Sequence, residues 1–318
     1  MASLQFMFPL VCTLLGALDD NKEAFLPIEK TALASIHLDG FPDWLEIGFG
    51  SLWVSNGGLG AVQRIDPATN KVIAVVNVNK PCAAMAVGYG SLWVASRKDK
   101  SIYRIDAHNN KVTATIPVTV ADSEASIAAG QGGIWVLTDQ KGVLSRINPE
   151  TNEVVARIGV KPYSYAAAAG YDAIWVTNTG RPRTTENGSV QRVDPKTNAV
   201  VATITVHRQP RFLAVGEGAV WVLNQADGTV SKIDPRTNQV VATIEVGVPG
   251  PGGDIAAGEG AVWVRATKVL LSVIDPKTNK VIKRFGPAQG SGAVRAGDGK
   301  VWVSAHDVNK IWRLNPLP

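Results

Sequence analysis

Few side chains in this sequence are of a kind and spacing that could carry chemistry. Glu46, Asp254 and His306 are the candidate catalytic groups, two carboxylates and an imidazole able to move a proton. The same carboxylates are the oxygen ligands available to a hard cation such as Mg2+ or Ca2+, and no other cofactor is indicated. The four histidines, at 37, 108, 207 and 306, lack metal-ligand spacing, and Cys12 and Cys82 cannot build a disulfide framework or a zinc site. There is no Gly-x-Ser-x-Gly elbow, no His-Glu-x-x-His pair and no phosphate-binding loop. Gly130-Gln-Gly-Gly133 resembles a dinucleotide loop, but no helical pattern follows it, so its glycines belong to a hairpin turn.

What must position these groups is a repeat. Seven copies of one pattern open with Gly-x-Gly or a variant, reach Trp-Val, cross a polar loop, and end in runs such as Val240-Val-Ala-Thr-Ile244. The tryptophans are Trp53, Trp93, Trp135, Trp175, Trp221, Trp263 and Trp302, at intervals of 40, 42, 40, 46, 42 and 39 residues. Periods near 40 suit propeller blades and helical solenoids alike. The local residues decide for strands, because Ala219–Leu223, Thr229–Asp234 and Gln239–Val246 are short, β-branched and bounded by turn residues.

The turn Asp-Pro-x-Thr-Asn recurs at Asp66–Asn70, Asp194–Asn198, Asp234–Asn238 and Asp275–Asn279. Its Asp can accept backbone N–H bonds, its Pro presets φ, and its Asn tolerates positive φ. A fourth strand, rich in alanine, precedes each Gly-x-Gly, as in Cys82–Val87 and Tyr165–Ala169, and small residues suit the crowded axis of a ring. The expected fold is all-β: a seven-bladed β-propeller over residues 31–318, with four antiparallel strands per blade. The last blade lacks an outer strand of its own, and Thr31–Leu38 is expected to supply it.

Composition agrees. Hydrophobic residues make 45% of the 318 positions and charged residues 19%, enough apolar mass for a large core and too much for disorder. Nine Trp against three Met, with 31 Gly and 18 Pro, favour strands and turns. The net charge of +5 is spread along the chain, which speaks against a nucleic-acid partner and leaves DNA binding as a third hypothesis. Residues 1–30 read as a signal peptide and leader: the apolar run Leu4–Leu18 is shorter than the roughly 20 residues that span a bilayer, so no stable membrane anchor is expected. Export to the periplasm or medium is the expectation, the cytoplasm the alternative, and a monomer the expected state.

Trp53-Val-Ser-Asn56, Trp175-Val-Thr-Asn178 and Trp221-Val-Leu-Asn224, each followed by the Asp-Pro-x-Thr-Asn turn or its equivalent, resemble the YVTN-type, YncE-like repeats of bacterial propellers, with Trp in place of Tyr. Virginiamycin B lyase is a more distant likeness. It would imply a His and Glu pair on the inner strand of the last blade. Here that strand reads Gly292-Ala-Val-Arg-Ala296, so the lyase machinery does not carry over.

Function is sought where the repeats differ. The second position before each Gly-x-Gly is Ala in five repeats but Glu46 in the first and Arg295 in the seventh, which are neighbours in a closed ring. Two positions earlier stand Trp44, Ala84, Ser126, Ala166, Phe212, Asp254 and Ala293, pointing the same way in a strand of period 2. Tyr165 and Arg211, one position away, are expected at the same rim, and His207 and His306 in loops of the same face. Together these make a candidate ligand site at the channel mouth. The competing expectation is that Glu46 and Arg295 pin the closing seam while Trp44 and Phe212 plug the hole. The insertion 179–187, with 96–100 and 248–253, gives the same face extra length and basic character suited to an acidic partner. The leading functional expectation is a binding or scaffold protein for a partner protein or small ligand. A propeller lyase or hydrolase is the alternative.

Overall fold

The Asp-Pro-x-Thr-Asn turn forms as its residues require. Asp66 accepts the Ala68 N–H at 2.9 Å and the Thr69 hydroxyl at 2.8 Å, and Asn70 takes φ +58° as its N–H closes onto the Asp66 carbonyl. Repetition of this hairpin builds the molecule. The computed structural model describes residues 25–317 apart from 80, 122–123, 125, 182–185 and 248–251.

Seven sheets, each built on four antiparallel strands, surround one axis. Blade one shows the plan, with strands A to D running outward from the axis: Pro42–Gly48, Ser51–Asn56, Ala61–Asp66 and Lys71–Asn77. The other A strands are Pro81–Gly88, Ile127–Gly130, Ser164–Gly170, Pro210–Gly216, Gly253–Gly258 and Val294–Gly297. Each packs against the next, and the seventh packs against the first, so the ring is closed. The seven tryptophans lie on the B strands and are buried, packed between blades as their regular spacing requires.

A column of cations holds the seams. Arg64, Arg104, Arg146 and Arg192 lie 4.8–5.3 Å over the tryptophan of their own blade and donate across the seam to the C–D turn of the next blade. Arg192 Nη1, for example, reaches the Pro235 carbonyl at 2.9 Å and Asn238 Oδ1 at 3.1 Å. Lys232 does the same over Trp221, and Arg313 reaches the Pro67 carbonyl of blade one. Blade six carries Val273 in this column. The blade beyond it has no C–D turn to grip, because its outer strand comes from the other end of the chain.

That strand is Ala34–His37, antiparallel to Lys310–Leu314, as the closure argument requires. It is shorter than the expected 31–38. Thr31 closes a helical turn, Ile28–Thr31, in which the Ala32 N–H and the Thr31 hydroxyl bond back to the Ile28 and Pro27 carbonyls. Residues before 31 also join the ring: Leu26–Pro27 pairs in parallel with Phe285–Gly286 of blade six, and Ile28 is fully buried. The expected leader run Leu4–Leu18 lies outside the described residues, as do 182–185 and 248–251 of the two longest loops. Among the described residues no helix is long and apolar enough to cross a membrane.

Candidate functional site

The A strands set the channel in three layers. At the turn end stands a ring of seven glycines: Gly48, Gly88, Gly130, Gly170, Gly216, Gly258 and Gly297. At Gly216 a Cβ would lie 2.6 Å from the Ala257 carbonyl oxygen of the next blade, so close approach of the strands demands glycine there. Below it come the five alanines with Glu46 and Arg295. The third layer holds Trp44, Phe212 and Asp254.

Glu46, Arg295 and Asp254 form one ion triad. Nε of Arg295 is 3.3 Å from Oε2 of Glu46, and Nη1 is 2.5 Å from Oδ2 of Asp254, which also accepts the Val294 N–H at 3.0 Å. Burial pushes both carboxyls up, and Arg295 only partly offsets it. Burial opposes the guanidinium charge as well, but Asp254 and Glu46 together hold Arg295 above its ordinary value. The guanidinium also sits 5.3 Å over the Trp44 ring.

Trp44 and Phe212 meet across the axis with centroids 6.0 Å apart, and they are only 3% and 1% exposed. They close the channel. Tyr165 packs edge-on to Phe212 at 5.5 Å, and Arg211 lies 4.5 Å over Tyr165 and donates to its hydroxyl at 2.8 Å. That hydroxyl in turn donates to Glu124 at 3.1 Å, and burial together with Glu124 pushes the phenol up. Between this lid and the glycine ring lies a cavity of about 260 Å³, walled by alanines such as Ala86, Ala128 and Ala168 and floored by the triad and Trp44. The open space is thus on the turn side of the aromatic pair, whereas the sequence placed it at the opposite mouth.

Seven expected residues come together here: Trp44, Glu46, Tyr165, Arg211, Phe212, Asp254 and Arg295. Ser126 does not join them as a contact group, being fully buried with an Oγ that finds no partner among the described residues. His207 sits at the periphery, 3.3 Å from the Thr243 hydroxyl and 3.9 Å from Asp227. His306 opens a short 3-10 turn and stacks on Phe41 at 4.1 Å, with Asp307 Oδ1 2.7 Å from its Nδ1, and burial holds the imidazole below its usual value. It has no contact with the triad. The Mg2+ or Ca2+ expectation meets a physical obstacle, because the carboxylates meant to bind the cation are already spanned by Arg295. Among the described residues no three His, Cys, Asp or Glu side chains are placed to hold a metal ion.

Two groups escaped the sequence reading. Asp43 lies half-buried beyond the aromatic pair, and burial, with Glu124, Asp254 and Asp307 nearby, pushes its carboxyl up to about 7 against the opposing charge of Arg265. Arg265 is fully buried and donates to the carbonyls of Ser304, Ala266 and Gly290; burial lowers it to about 10. Both were visible as exceptions in their columns. Asp43 shares a column with Tyr165 and Arg211, and Arg265 stands where the other repeats have Ser55, Ala95, Leu137, Thr177, Leu223 and Ser304.

A family model described as a domain of unknown function, DUF5074, matches residues 196–317. No curated protein matches the sequence. Among solved structures the chain is similar to a streptogramin B lyase, with TM-score 0.72 and 17% identity over 89% of this chain and 96% of that one. It is also similar to hydrazine synthase of Kuenenia stuttgartiensis (0.72, 14%, covering 88% and 97%). A third likeness is a catalytically inactive virginiamycin B lyase from Staphylococcus aureus with quinupristin (0.73, 14%, covering 89% and 99%). At such identities the likeness establishes the ring and leaves the chemistry to the residues.

Proposed function

We propose that the protein is a non-catalytic binding propeller that holds a small ligand in its axial cavity. One observation carries this reading: the inner strands depart from alanine at positions that meet in space, and those side chains border open volume. A pocket with apolar walls and a few fixed charges is what small-ligand sites are made of. Structural pinning alone accounts for the triad but not for the cavity left beside it. The dispersed positive charge supports this reading over DNA binding, since six cations of the seam column are spent on tryptophan faces and turn carbonyls. A thermal-shift screen of small polar solutes tests it, because a ligand at 100 times its Kd stabilises the folded state by about 2.7 kcal/mol. Ala168→Phe, which fills the cavity from its wall, is expected to abolish any shift. A shift that survives this substitution places the ligand elsewhere.

A second reading, a propeller lyase or hydrolase, is favoured by Asp43 alone. A carboxyl near 7 on the loop face is suited to take a proton. The streptogramin and virginiamycin B lyases share the ring, and their substrates are the natural panel for this test. Turnover lost in a folded Asp43→Asn protein supports it, and no turnover in the parent protein removes it.

A further inference from the structure

We infer that the axial cavity takes a small zwitterion, an α-amino acid, its carboxylate on Arg295 and its ammonium on Glu46. This rests on the binding reading above and names the ligand class for the same cavity. Arg295 spends Nε on Glu46 and Nη1 on Asp254 and the Val294 carbonyl, while its Nη2 has no hydrogen-bond partner among the described residues. Glu46 meets the guanidinium through Oε2, and its other oxygen takes no bond from Arg295. Both side chains line the cavity and remain 21% and 22% exposed, whereas Asp254 is 4% exposed and turned into the strand. A donor and an acceptor therefore stand side by side on the floor, in walls that are otherwise mostly alanine, valine and isoleucine.

Such a pair matches a ligand with an acceptor and a donor on adjacent atoms. An anion would add to the negative charge of a site that already sets two carboxylates against one guanidinium, and a simple cation would leave the open guanidinium edge unmatched, whereas a zwitterion answers both groups. Each of its ends makes a charge-assisted bond, the stronger class of hydrogen bond. The volume of about 260 Å³ exceeds the roughly 150 Å³ that holds a benzene ring, so it admits a single amino acid.

Calorimetric titration of the full chain with glycine, L-alanine and L-valine tests this, alongside N-acetyl-L-alanine, L-alaninamide, propionate and ethylammonium. Alanine is expected to bind, with affinity falling at least about tenfold when either end is blocked and again in Glu46→Gln. Should Glu46→Gln fail to fold, as circular dichroism would report, Ala168→Phe gives the same loss from a wall position outside the triad. Binding of the blocked compounds as tightly as alanine overturns the inference. Binding of some other small solute, blocked by Ala168→Phe, with no amino acid bound, overturns the inference and leaves the binding reading standing. Absence of any binding that Ala168→Phe blocks overturns both.

Discussion

Nη1 of Arg295 lies 2.5 Å from Oδ2 of Asp254, closer than the 3.3 Å between its Nε and Oε2 of Glu46, so the guanidinium belongs first to blade six and only then to blade one. Removing it strands two buried carboxylates. Arg295→Met is expected to cost about 3–5 kcal/mol in urea unfolding, and the double change with Asp254→Leu to recover a substantial part. An equal loss in the single and double variants would mean that lost packing, and not the orphaned charge, sets the cost.

The glycine ring predicts a contrast between two alanine substitutions. Gly216→Ala drives a Cβ to within 2.6 Å of a backbone oxygen, which cannot swing aside, and is expected to cost about 1–3 kcal/mol. At Gly297 the nearest atom is the Ile47 side chain at 3.6 Å, ordinary contact, and Gly297→Ala should unfold within about 0.5 kcal/mol of the parent.

Asp43 gives a pH signature. A carboxyl raised in the folded state binds its proton more tightly there than in the unfolded chain, so its contribution to stability is full below the ordinary value of 3.8, declines as pH rises, and is gone above about 7. Asp43→Asn should flatten stability between pH 4 and 7 and raise it at pH 8 by about 2 kcal/mol, a figure reduced for the partial exposure of the group. Denaturant midpoints at four pH values decide it. A parallel pH dependence in parent and variant contradicts the assignment.

At the seams, Arg192→Ala is expected to cost about 1.5–3 kcal/mol, since a charged donor and a stacked cation are lost together. In a double-mutant cycle with Asn238→Gly, which keeps the positive φ of the turn, the two changes should couple by about 1 kcal/mol. Strict additivity would show that the cation grips only the Pro235 carbonyl.

The N-terminal clamp is testable by removal. Ile28→Ala, at a fully buried site, should cost about 2–4 kcal/mol. A chain beginning at residue 39 bares the hydrogen-bonding edge of Lys310–Leu314 and should aggregate or unfold without a cooperative transition in calorimetry. A sharp transition near the parent midpoint would show that the ring holds without its latch.

The fold was legible because each blade repeats one solution: the Trp-Val strand, the Asp-led turn and the alanine-rich inner strand all carry period and geometry together. The triad was legible because the same alignment of repeats exposes exceptions, and Glu46 and Arg295 sit in adjacent blades. What periodicity could not provide was the order of events along the axis. Trp44 and Phe212 are large enough to touch across it, so of the two expectations held for them, lining the mouth or plugging it, their geometry matches the plug. Asp254 turned from a free acid into the principal partner of Arg295, since a strand pattern gives direction but not reach. His207 was drawn to the site by its face alone, and its loop leaves it at the periphery beside Thr243 of an outer strand.

The pairing of Ala34–His37 with Lys310–Leu314 has a consequence for biosynthesis. Ala34–His37 leaves the ribosome long before Lys310–Leu314 is made, and until then every intermediate is an open arc. Blades one to six can each form locally as they emerge. The circle itself is a late event, and any ligand that needs the paired walls of blades one and seven can be held only once the chain through Leu314 has been made.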